Sequence, residues 1–75
     1  MPADRPLEFH EGDRVRFEYV NHHGDRALRT ATIIGWRWGA TLWHPEPQWL
    51  LAALDEDRGE IRHFACLDMD EVRKL

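Results

Sequence analysis

The chain has 75 residues, with ten Lys and Arg against fourteen Asp and Glu for a formal charge of −4, and a single Cys. That length leaves room for one domain, expected over residues 6–75 after a disordered lead-in at 1–5, and the negative charge excludes coating nucleic acid by charge alone. Cys66 has no partner for an internal disulfide or a Cys-rich zinc site, and no apolar run spans a bilayer or forms a signal peptide, which sets a cytoplasmic, non-membrane location as the expectation.

Met1 to Arg5 carry no apolar period, as suits a lead-in. Pro6 through Gly12 predict one short helical turn, with Leu7 and Phe9 as anchors and Gly12 as terminator. Arg14 to Val20 then alternate: Val15, Phe17 and Tyr19 share one face and Arg14, Arg16 and Glu18 the other, the pattern of a half-buried strand. Asn21-His22-His23-Gly24-Asp25 is a turn in which Gly24 supplies positive φ. Arg26 to Trp38 is rich in Thr, Ile and Trp and too long for one flat strand in so small a domain, so Gly35 is the expected bend and Gly39 a second break.

Pro45 and Pro47 block ladder donation across His44-Pro45-Glu46-Pro47 and bias it to extended backbone. Trp49 to Leu54 is continuously apolar and predicts a strand buried on both faces, joined through Asp55-Glu56-Asp57-Arg58-Gly59 to a strand over Glu60 to Cys66. In the tail, Met69, Val72 and Leu75 stand at helical spacing with Asp68, Asp70 and Glu71 near the start, so a short C-terminal helix is expected. Together these predict a mainly β fold: a strongly bent antiparallel sheet of four or five strands approaching a barrel, with a short helix at each end. A core this small typically supplies about 3–5 kcal/mol, and four Trp, three Phe and one Tyr provide dense aromatic packing to help it.

Trp49-Leu50-Leu51, the Pro-punctuated approach His44 to Gln48, and Arg62 two residues before Phe64 resemble the WYL domain of bacterial regulators. Gly12 to Tyr19 is similar to that family's opening, and Gly24 with Arg29 to its next hairpin, with Ile33 in the place of a Pro. Leu50 stands where the motif has Tyr, Asp68 where many members have a further Arg, and Met69 where they have Ile. The resemblance covers about Leu7 to Met69. It implies an Sm-like barrel and a sensing module, linked to transcription regulation or phage defence, that binds a nucleotide or short single-stranded nucleic acid through Arg and aromatic residues. Most relatives carry a helix-turn-helix domain; these 75 residues contain none, so regulation would run through a partner regulator protein.

The expected ligand site combines Arg29 and Arg62 as phosphate forks, His44 and Gln48 at the rim, and Tyr19, Trp49 or Phe64 as a ring for stacking. Each has a plainer reading: the three aromatics as core, and Arg62 as the ion-pair partner of Glu18 or Asp55. The competing function is protein interaction or self-association through exposed Trp36, Trp38 and Trp43. His22 and His23 point apart as neighbours on a turn and predict no metal site, and no cofactor is expected. With no Ser and no base evident beside Cys66, the chain reads as a non-enzyme.

Overall fold

A computed structural model describes residues 9–75. Five strands form one antiparallel sheet: β1 Arg14–Val20, β2 Arg26–Gly39, β3 Gln48–Asp55, β4 Glu60–Ala65 and β5 Met69–Lys74, in the order β4-β3-β2-β1-β5. The alternation in β1 places Val15, Phe17 and Tyr19 inside, and register carries that face across to Ala31 and Ile33 of β2, Ala53 and Leu51 of β3, and Phe64 of β4. Gly24 and Gly59 take the positive φ that the two hairpin turns require.

Two register shifts curve the sheet. In β2 an extra residue lies between Ile33 and Gly35, so Ile33 pairs with Ala53 while Trp36 pairs with Leu51. In β5 the step from Asp70 to Arg73 answers the shorter step from Glu18 to Arg16 in β1. Each bulge puts residues three apart on the inner face and bends its strand. The curled sheet brings β4 over β1: the Phe64 ring meets Phe17 at 5.1 Å and Tyr19 at 5.0 Å, both edge-on, and the Ala65 amide donates to Tyr19 Oη at 3.0 Å. A single 3₁₀ turn, Cys66–Asp68, then carries the chain from one sheet edge to the other. No hydrogen-bond ladder joins β4 to β5, so the predicted barrel is a curled, open sheet of five strands.

Two helix expectations change. The tail expected as a C-terminal helix is β5, with Met69 and Val72 packed against the core from an edge strand paired to β1. Ladder bonds to β1 and burial of two apolar side chains outweigh the weak local preference for helix. At the other end, residues 1–8, including the lead-in and the first part of the expected helical turn, lie outside the described residues. Phe9 is in the core as expected, but residues 10–13 make a turn in which the Asp13 amide donates to the His10 carbonyl and Asp13 Oδ2 accepts from the His10 amide. The Gly12 amide also donates to the Ile33 carbonyl at 2.8 Å, fixing this turn on β2. The strand over Trp49 to Leu54 is likewise less enclosed than its composition suggests: Leu50 and Leu51 are buried, while Leu54 is exposed on the outer face. No helix among the described residues is long and apolar enough to cross a membrane.

Candidate functional site

Asp55 closes β3 and opens the last hairpin. Its carbonyl accepts from the Gly59 amide at 2.7 Å, and its Oδ1 accepts from the Asp57 amide at 3.0 Å, a local pairing typical of Asp at a turn. The side chain is fully buried, and its Oδ2 receives Arg62 Nη1 at 3.5 Å. Arg62 stands opposite Ala53 on β4, whose small side chain leaves space on the inner face, and its guanidinium lies 5.5 Å from the Phe64 ring centroid. Among the described residues, one long contact to an acid leaves most of the five-donor fork unused.

The β2–β3 loop approaches this guanidinium from the other side. Thr41 and His44 exchange backbone hydrogen bonds, and Thr41 Oγ1 accepts a further one from the His44 amide at 3.0 Å. His44 Nε2 lies 3.5 Å from Asp68 Oδ2, which ties the loop to the 3₁₀ turn. On this base Trp43 projects with 58% of its surface exposed, one face stacked on His22 at 3.8 Å and 9°. Desolvation, with the charge of the neighbouring His23, pushes the His22 pKa down, favouring the neutral ring. Thr41, Leu42, Trp43, Ile61, Arg62 and His63 thereby enclose an open concavity of about 300 Å³.

Of the residues expected from sequence to form the ligand site, Arg62 alone lines this concavity. Tyr19 and Phe64 are core, which withdraws their rings from any incoming ligand and pushes the Tyr19 hydroxyl pKa up by desolvation. Arg29 sits opposite Phe17 on the inner face, its Nε buried without a hydrogen-bond partner among the described residues, and it does not line the Arg62 concavity. His44 is turned to Asp68, Gln48 Nε2 donates to the Glu46 carbonyl at 3.1 Å, and Trp49 packs edge-on against Trp38 at 5.6 Å. Of the three Trp considered for a protein contact, Trp38 and Trp43 are exposed and Trp36 packs against the core. The aromatic that the concavity does use, Trp43, was legible from sequence only as a surface residue, because its partners come from β4 and from the β1–β2 turn. Neither a protein-family model nor a curated protein matches the chain.

Proposed function

We propose that this protein is a non-enzymatic sensing module whose concavity between the β2–β3 loop and β4 takes a nucleotide or the end of a single-stranded nucleic acid. The curled five-stranded sheet is then an open version of the Sm-like barrel implied by the resemblance to WYL domains. Arg62 offers its free donors to phosphate, and Trp43 offers the ring face that His22 does not cover to the base. Such stacking contributes about 1–3 kcal/mol per base. The observation that carries this reading is the placement of a loosely paired guanidinium beside an exposed indole in one opening. Output to transcription or phage defence passes through a partner regulator.

The net charge of −4 sharpens the claim, since affinity must come from the local site rather than long-range attraction. Nucleoside monophosphates and short oligothymidylates titrated into the labelled protein are expected to shift the Trp43 indole and Arg62 guanidinium signals saturably. R62K keeps the charge but loses the fork, and is expected to weaken binding about tenfold. Absence of shifts into the millimolar range, or shifts indifferent to R62K, refutes the reading. Leu42 and Ile61, 84% and 62% exposed beside Trp43, favour a second reading in which this rim contacts another protein or a second copy. In that case the same signals move with protein concentration and not with nucleotide.

A further inference from the structure

The opposite face of the sheet holds a second concavity of about 360 Å³, lined by Arg16, Glu18, Leu28, Glu71, Arg73 and Leu75. Its cationic half is a like-charge pair: Arg16 of β1 stands directly opposite Arg73 of β5. Directly opposed like charges are unfavourable in a sheet. Yet neither makes an ion pair among the described residues, Arg16 having only a 3.3 Å bond from its Nε to Thr30 Oγ1. The arginine ion pairs among the described residues are made by others: Arg14 with Glu56, Arg62 with Asp55, and Arg26 with Asp70 and with Glu18 of this concavity. Arg73 acts on Glu18 and Arg16 on Glu56 only from beyond ion-pair distance, and both guanidinium groups line one opening.

The anionic half lies two residues farther along both strands. Glu18 and Glu71 line it as a carboxyl pair close enough to share a proton, and that contact, with Arg26 at 3.1 Å, holds the Glu18 pKa below its ordinary value. Arg26 also reaches Asp70 at 3.8 Å, so its charge is already shared between two carboxylates. Leu28, level with Glu18, and Leu75, beyond Arg73, are 59% and 50% exposed and supply apolar surface at the two ends. The lining thus carries two guanidinium groups and a carboxyl pair that holds one negative charge while it shares a proton. A nucleotide bearing several negative charges would meet the carboxylates, and a simple amine would meet the arginines.

We propose that this face binds a small zwitterion of dipeptide size, its carboxylate forked by Arg16 and Arg73, its ammonium on the Glu18–Glu71 pair, and an apolar C-terminal side chain against Leu75. Two residues along a strand advance roughly 6–7 Å, which separates the halves by more than the charges of a single α-amino acid and by about those of an extended dipeptide. β5 is moreover a sheet edge, so its outward backbone groups are open to a peptide. The site is independent of the Trp43 concavity and stands or falls separately from it.

The test is a titration of the labelled chain with glycyl-leucine, its N-acetyl form, its C-terminal amide and sodium acetate. Glycyl-leucine is expected to shift Arg16, Leu28, Glu71 and Arg73 saturably in the millimolar range while leaving Trp43 unmoved, with each blocked form about tenfold or more weaker, a loss of about 1.4 kcal/mol. R73Q and R16Q, both at exposed positions, are expected to keep the fold and lose the response. Equal binding of acetate or of either blocked peptide overturns the zwitterion assignment. Absence of any saturable shift at these residues overturns the site.

Discussion

Replacing Tyr19 by Phe removes one oxygen from the centre of the molecule and nothing else. The ring keeps its edge-on contacts with Phe17 at 6.2 Å and Phe64 at 5.0 Å, so the packing contribution is conserved. What is lost is the acceptor for the Ala65 amide, a 3.0 Å bond at a residue with no exposed surface. A buried N–H left without a partner costs about 1–3 kcal/mol, more than the bond itself contributes when water competes for both groups. For a domain of this size each kcal/mol lowers Tm by roughly 4–8 °C, so Y19F is expected to melt about 5–20 °C lower with an unchanged urea m-value. Because this bond ties β4 to β1 across the curl, where no ladder does, amide exchange at Ala65 should accelerate more than at Leu51 in the sheet interior. A melting point within 2 °C of the parent, or unchanged exchange at Ala65, refutes the claim that the hydroxyl holds the curl of the open sheet.

Glu71 is the one described non-glycine residue at positive φ, +51°. E71G relieves a conformational cost of about 1–2 kcal/mol, offset in part by the greater freedom of Gly in the unfolded chain, so a net gain of a few tenths to about 1 kcal/mol is expected in urea unfolding. A loss of stability would show that the Glu71 carboxyl outweighs its backbone strain. Burial pushes the Cys66 thiol pKa up to about 11 from 9.0. Alkylation by iodoacetamide at mildly alkaline pH should therefore run about a hundredfold slower in the folded protein than in urea. Since the unfolded thiol loses its proton first, the corresponding stability is intact below pH 9.0 and is lost as pH rises toward about 11. Its upper limit is about 2–3 kcal/mol, reduced by the partial exposure of Cys66, and C66A should flatten that slope. Equal alkylation rates in both states would sink the assignment.

Much of the sheet was readable because its strands announce themselves by strict alternation or by apolar runs between turn residues. Arg14 to Val20 and the turn at Gly24 needed no tertiary information. The C-terminal segment failed for a specific reason: Met69 and Val72 are three apart, which in an isolated stretch reads as helix, and in β5 the bulge around Glu71 produces the same spacing in a strand. β2 repeats the effect, since Ile33 and Trp36 both reach the core across the shift at Gly35. A bulged edge strand and one turn of helix are degenerate in such a short pattern. Only the pairing of Met69 with Tyr19 and Arg73 with Arg16 distinguishes them.

The same degeneracy hid the arginines that matter. Arg29 and Arg62 both lie on the inner face, but a shared face is not a shared opening: Asp55 sits beside Arg62, and Arg29 faces Phe17 with its Nε already enclosed. A guanidinium on the concave side of a small curled sheet competes with core for space and meets whatever acid the hairpin turn supplies. On the convex side there is no such competition. Arg16 was visible there from the first strand, whereas Arg73 became its neighbour only once the tail paired as β5. In a fold of this size, charge free to meet a ligand therefore belongs on the convex face or at a loop rim. The Trp43 concavity and the Arg16–Arg73 pair occupy those two places.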